Sequence, residues 1–358
     1  MNKKEKQLFF NLCDLKKHND EEINELLKHA TPNVLGALFF NRMQGVAYSI
    51  LKNNDNLNSL NREFRNSLKY AYEYNLKKNK SFNICLRHIS NILKITSENY
   101  AMLKGAVLCN YYPQGCRTSN DIDLLVLPEN ISEISNALLD NGFMQGKIKN
   151  DKFQKAERSE IIESRVMRGE TVPFIKEVNL PSMKYLEVDI NFSLDYKNSN
   201  KRNIEQMLNC AHYTMIGEME VKTLEKIDFF IHLCVHLYKE ATTLPWVEMK
   251  RDMTLYKYCD IYIMLNDFSR SNIESLFKRA EQLNLMNECC FAIIHSCSLF
   301  SNEKNIAFEY ACKHLEDNEE YIHTVISPSE NKKYIFDTKD IQARFFSDNR
   351  RSMLKEQE

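Results

Sequence analysis

Leu103-Lys-Gly-Ala106 is followed, after Tyr111-Tyr-Pro-Gln-Gly115, by Arg117-Thr-Ser-Asn-Asp121-Ile-Asp123-Leu-Leu-Val126. The apolar, β-favouring run after Asp123 predicts a strand from Asp121 to Leu127, stopped by Pro128. In a strand, residues two apart point to the same face. Asp121 and Asp123 therefore converge on one spot while the apolar remainder is buried. Two carboxylates that close repel, and both stay ionised at neutral pH only with a cation between them. An all-oxygen ligand set favours Mg²⁺ or Mn²⁺ over zinc.

A third carboxylate comes from Tyr185-Leu-Glu-Val-Asp-Ile-Asn-Phe192. Leu186, Val188, Ile190 and Phe192 alternate with Glu187, Asp189 and Asn191, which predicts a strand with one apolar and one polar face. If it pairs beside the Asp121 strand, Asp189 completes a three-carboxylate site, with Glu187 the fallback. Such a site can hold two metal ions about 4 Å apart and clamp the attacking and leaving oxygens of a phosphoryl displacement. Thr171-Val-Pro-Phe-Ile-Lys-Glu-Val178 reads as the preceding strand, and Asn179-Leu-Pro-Ser-Met-Lys184 as a hairpin turn between the two.

Outward from this centre the chain changes character. Residues 1–98 read as a helical segment; Phe64, Leu68, Tyr72 and Leu76 recur every four residues in a stretch nearly free of glycine and proline. Ile131 to Asn141 reads as a helix with Gly142 at its C-cap. From 143 to 166 the chain is polar and poorly periodic. Residues 201–324 read as helical again, and 325–358 as a polar, partly mobile tail. The expected organisation is α+β: a small mixed sheet in a core of residues 99–200, flanked by N-terminal and C-terminal helical segments.

The 358 residues carry 48 basic and 49 acidic side chains, a formal net charge of −1. That balance argues against a dedicated nucleic-acid binder, which needs a basic surface. No apolar run approaches the ~18 residues that span a bilayer, and the polar N-terminus lacks a signal-peptide pattern. A cytoplasmic location is expected. The 11 cysteines form no Cys-x-x-Cys pair and read as reduced, mostly buried thiols.

Leu103-Lys-Gly, Tyr112-Pro-Gln-Gly, Arg117, Asp121-Ile-Asp-Leu-Leu-Val126 and the later Val188-Asp-Ile190 together resemble the bacterial nucleotidyltransferases of the polymerase-β-like superfamily. The resemblance covers roughly residues 100–195. It implies a short mixed sheet packed on helices, and transfer of a nucleoside monophosphate from an NTP to a hydroxyl acceptor with release of pyrophosphate. It also implies that Asp121, Asp123 and Asp189 bind Mg²⁺ (or Mn²⁺), with Asp189 the third carboxylate and general base.

Lys104 and Gly105 fall where the superfamily has Gly-Ser. Glycine there lets backbone N–H groups approach the triphosphate, and Ala106 replaces the usual serine. Lys104, Gly105, Ala106, Arg117 and Asn120 are the expected nucleotide contacts. Asn191 stands where this branch often has histidine. His232 and His236 share a helix face, with Lys239 one turn beyond. Partly buried, hydrogen-bonded histidines are one reading of that face; His236 and Lys239 as nucleotide contacts are the other. The acceptor classes are a small molecule such as an antibiotic or natural-product intermediate, a protein hydroxyl, or, against the charge balance, a tRNA end. A catalytically weak nucleotide-binding regulator, antitoxin-like, is the alternative. No membrane partner is expected.

Overall fold

The structure is a computed structural model and describes residues 1–97, 99–194 and 200–357. The boundary expected at 98 falls outside them. The fold is α+β, and the chain divides into two compact units. One is made of residues 72–229; the other combines residues 1–71 with 230–358.

The 72–229 unit takes most of the helix α1 (Arg62–Leu93) and is organised on one sheet. Its strands are β1 (Tyr100–Leu103), β2 (Asp121–Val126), β3 (Met144–Lys149), β4 (Lys152–Lys155), β5 (Phe174–Leu180), β6 (Met183–Asn191), β7 (His212–Ile216) and β8 (Met219–Thr223). The sheet is mixed, with order β4-β3-β5-β6-β2-β1-β8-β7 and parallel pairing at β6–β2 and β1–β8. It is therefore larger than the expected small core. The span read as irregular from 143 supplies the β3–β4 hairpin and a helix (Arg158–Met167). The span read as helical from 201 supplies β7 and β8 after the helix Lys201–Asn209.

Burial fixes how the central strands stack. Ile122, Leu124, Val126, Leu186, Val188 and Ile190 have no exposed surface. They occupy one face of β2 and β6, and each fully buried side chain of this size contributes about 1.5–3 kcal/mol. On α1, Phe82, Cys85, Leu86, Ile89, Ile92 and Leu93 are buried at helical spacing. The Ser81 hydroxyl donates to the carbonyl of Pro181 (2.7 Å) in the β5–β6 turn, which ties the helix to the hairpin. The β3–β4 turn places Asn150 and Asp151 at φ of 51° and 56°, the paired positive values of a tight hairpin.

The other unit is helical, with the central helices Leu255–Asn266 and Met286–Leu299 almost wholly buried. The stretch from 325, expected as a tail, is folded. Thr324–Ser327, Lys332–Phe336 and Leu354–Gln357 form β9, β10 and β11 of a three-stranded antiparallel sheet. Val325, Tyr334, Phe336 and Leu354 pack with Leu244 and Val247. All 11 cysteines are free, and most are buried. Among the described residues no helix is long and apolar enough to cross a membrane.

Two features of this unit yield measurable expectations. Arg350 clamps both carboxylate oxygens of buried Asp252 at 2.7–3.0 Å. Arg350→Met leaves that carboxylate buried and unpaired, an expected loss of about 3–5 kcal/mol in denaturant titration. Asp252→Asn on top of it should restore much of the loss. Burial, then the charges of Arg344 and Lys339, pushes His323 down to about 4. Burial, then Arg344, holds His295 well below the usual histidine range. Both imidazoles stay neutral in the fold, whereas the unfolded chain takes up these protons near pH 6.5. Stability from this pair is thus complete above about pH 6.5 and is lost as the pH falls toward about 4. The thermal midpoint should drop over that window, and His323→Phe should flatten part of the drop.

Candidate active site

Parallel pairing of β2 and β6 sets Asp121 opposite Glu187 and Asp123 opposite Asp189. On its other side, Asp123 is opposite Leu103, the last residue of β1. Cross-strand partners share a face. Four carboxylates thus stand on one face, two on each strand, opposite the face that carries Ile122, Leu124, Val188 and Ile190. Asp123 is only 4% exposed.

The acids differ in what surrounds them. Burial works to raise Asp121, but the Ser119 hydroxyl and the charges of Lys104 and Arg117 outweigh it and hold the carboxyl below its ordinary range. Ser119 Oγ donates to Asp121 Oδ1 at 2.7 Å. Asp123 is raised, first by burial and then by Asp121, against the pull of Lys104. Asp189 is raised well above the usual range by burial and by the charges of Asp123, Glu187 and Asp121. Glu187 is raised by burial and by Asp121 and Asp123. The cluster carries more negative charge than the protein around it compensates.

Lys104 is the cation at hand. Its Nζ lies 2.6 Å from Asp123 Oδ1, and its side chain is about one-fifth exposed. Its backbone, at φ 44° and ψ −117°, is a conformation that non-glycine residues rarely adopt and that costs of order 1–3 kcal/mol. The Lys104 carbonyl accepts from Val107 N (3.0 Å) and Leu108 N (2.7 Å), which pins the turn into the short helix α2 (Gly105–Leu108).

Gly105 follows, and its lack of a side chain has a local cause. A Cβ there would overlap Oγ and Cβ of Ser119, the residue that bonds Asp121. Ser119 was not among the residues singled out in the sequence. It stands two residues before Asp121, so its hydroxyl is in reach of that carboxylate; its contact with Gly105 spans a loop and leaves no periodic signal. It also places a hydroxyl beside the glycine, where Ala106 has none. Gly115 is a second close approach: φ is 80°, and a Cβ would sit 2.7 Å from the Tyr72 ring.

The remaining expected residues divide. Arg117 Nη1 donates to the Thr118 carbonyl (2.5 Å), and its charge reaches Asp121. Ala106 is 1% exposed, so its methyl group is buried. Asn120 is exposed on the loop before β2. The Asn191 side chain lies close enough to Asp123 to draw its carboxyl down by hydrogen bonding. His236 and Lys239 lie in the other, helical unit, on the helix Lys226–Ala241. There His236 Nε2 is 3.5 Å from Glu240 Oε2, and the Lys239 carbonyl accepts from Thr243 Oγ1 at 2.5 Å.

The donor set can be tested against a divalent cation. Asp121, Asp123 and Asp189 supply oxygen ligands only, and their mutual repulsion is the kind that a hard cation relieves. Among the described residues no three acidic, histidine or cysteine side chains form a ready-made metal cage. In chemistry the three carboxylates suit such a cation.

Gly105→Ala should cost about 1–3 kcal/mol, as overpacking does. Ser119→Gly on that background should recover most of the cost, because it removes the colliding side chain. A double variant no more stable than Gly105→Ala in thermal or denaturant melts would show that the close approach is not what selects glycine.

A family model described as an uncharacterised nucleotidyltransferase matches residues 31–301, about three-quarters of the chain. No curated protein matches. The crystal structure of an antigenic nucleotidyltransferase-like protein from Paracoccidioides brasiliensis is similar over 72% of this chain and 96% of that one, at 13% identity and a TM-score of 0.36. On the span of the family match, this chain belongs to the uncharacterised nucleotidyltransferases.

Proposed function

We propose that the protein is a divalent-metal-dependent nucleotidyltransferase. It moves a nucleoside monophosphate from an NTP to a hydroxyl acceptor and releases pyrophosphate. The acceptor is a small molecule, such as an antibiotic or natural-product intermediate, or a protein side chain. The observation that supports this reading best is the register of β2 and β6, which sets Asp123 beside Asp189 and Asp121 beside Glu187 on one face. Membership of a nucleotidyltransferase family supports the class of reaction.

Asp121, Asp123 and Asp189 would hold Mg²⁺ or Mn²⁺. When bound, such a metal offsets the charge of the triphosphate and of the carboxylates themselves. Each side chain then has a task. Asp189, whose carboxyl holds its proton most strongly of the cluster, is suited to accept the proton of the attacking hydroxyl once ionised. The acceptor oxygen forms a bond to the α-phosphorus, and the bond to the pyrophosphate oxygen breaks. Lys104 and Arg117 offer positive charge to the phosphates. Ser119 orients Asp121 through its 2.7 Å bond. The near-neutral charge balance favours a small or protein acceptor over RNA.

The test is transfer of label from α-³²P NTPs, each with Mg²⁺ or Mn²⁺, to an extract split into small-molecule, protein and RNA fractions. Label should move to one fraction. Asp123→Asn should reduce the transfer by roughly 10³-fold or more, the scale of losing several kcal/mol of charge stabilisation, with the circular dichroism spectrum retained. Equal transfer by Asp123→Asn would overturn the assignment. Nucleotide binding without transfer would mark a nucleotide-binding regulator instead.

A further inference from the structure

A cleft of about 370 Å³ opens in the sheet-bearing unit, away from the carboxylates. We infer that it is a second ligand site, for a small organic anion: a carboxylate or phosphate group on an apolar body of one or two rings. The site goes beyond the transfer reaction and does not depend on it.

The strand registers place the cleft. Thr223, at the end of β8, pairs with Met102 of β1, and Met102 pairs with Leu124 of β2. His212 of β7 pairs with Thr223 on the other side. Partners across a sheet share a face, and Leu124 belongs to the buried apolar face. Thr223 and His212 therefore lie on the sheet face turned away from Asp121 and Asp123. Thr214 and Ile216, two and four residues after His212, share that face. All four line the cleft, so on the strands it stands behind the acid cluster rather than at its rim.

The walls decide the chemistry. Val107, Ile216, Leu224 and Phe229 give it an apolar surface. Asn110, His212, Thr214 and Lys226 bring N–H and O–H donors. Among the described residues that line the cleft there is no carboxylate. Glu225, next to Lys226 in the chain, turns Oε2 to the Ile227 amide at 2.7 Å. Donors without acids suit an acceptor-rich, negatively charged head, and a cationic ligand finds no counter-charge in the wall. The apolar surface suits a hydrocarbon body. The volume lies at the small end of the range of roughly 300–1,000 Å³ that holds drug-sized ligands, which sets the size at one or two rings. The cleft also adjoins the turn at Lys104: the amide of Val107, a wall residue, donates to the Lys104 carbonyl at 3.0 Å.

The test reads binding alone. The full-length protein is titrated with 8-anilinonaphthalene-1-sulfonate, a fluorescent anion of this size, and with N-phenyl-1-naphthylamine, the same rings without the charge. The sulfonate should bind at one saturable site and more tightly than the neutral dye. Thr214→Trp should fill the cleft and abolish that site. His212→Trp, at an exposed strand end, is a second filler in case the first fails to fold. Lys226→Gln should weaken the sulfonate about 10-fold, the scale of one hydrogen bond to a charged group, and leave the neutral dye unchanged. Benzoate or phenyl phosphate should displace the sulfonate, and whichever does so names the head group; benzylamine should not. Sulfonate binding that survives both fillers would overturn the inference. So would equal binding of the two dyes, displacement by benzylamine, or displacement by neither anion.

Discussion

The site depends on the register of one parallel strand pair. β2 and β6 pair so that Ile122 meets Val188 and Leu124 meets Ile190 on the buried face. A slip of one residue would turn every side chain of a strand to the opposite face. It would bury Asp123 or Asp189 among aliphatic groups and expose the aliphatic groups in their place. The apolar face therefore sets the register, and the acids are brought together as a consequence. Their repulsion opposes the pairing, and burial of the aliphatic side chains outweighs it.

Around this pair stand a glycine, a hydroxyl and a lysine ammonium. Gly105 lets Ser119 approach, Ser119 holds Asp121, and Lys104 holds Asp123. The two β2 carboxylates are thus restrained by different means: a neutral hydroxyl for one, a full charge for the other. Asp189 and Glu187 on the neighbouring strand are both raised, first by burial and then by the carboxylates beside them. The asymmetry makes Asp121 the acid held below its ordinary range, while Asp189 is raised well above it.

Much of this was legible in the sequence. The Asp121-Ile-Asp123 step, the alternation of Leu186 to Phe192 and the turn at Pro181-Ser182 carry period-two patterns and turn residues that act locally. What escaped reading had weaker local signals. β7 and β8 are five-residue strands joined by Gly217-Glu218, short enough to be lost between helical stretches. The β3 segment Met144-Gln-Gly-Lys-Ile-Lys149 is short and mostly exposed, Met144 and Ile148 included, with a glycine between its two apolar residues. The C-terminal strands gain their burial from Leu244 and Val247, some eighty residues away in the chain. Ser119 against Gly105 is likewise a tertiary contact. Local patterning revealed the acids; the residues that support them are set by packing across loops.

The division of the chain has a bearing on biosynthesis. Residues 72–229 form their own unit, whereas residues 1–71 complete theirs only with residues 230–358. At about 5–20 residues per second, a ribosome takes roughly 8–30 s to make the intervening stretch. During that interval the sheet-bearing unit can fold as it emerges, while Leu8, Phe9, Leu12 and Val34, fully buried in the finished protein, still lack the partners from the later segment. The nascent chain thus carries an apolar N-terminal segment in waiting, a natural client for a ribosome-associated chaperone.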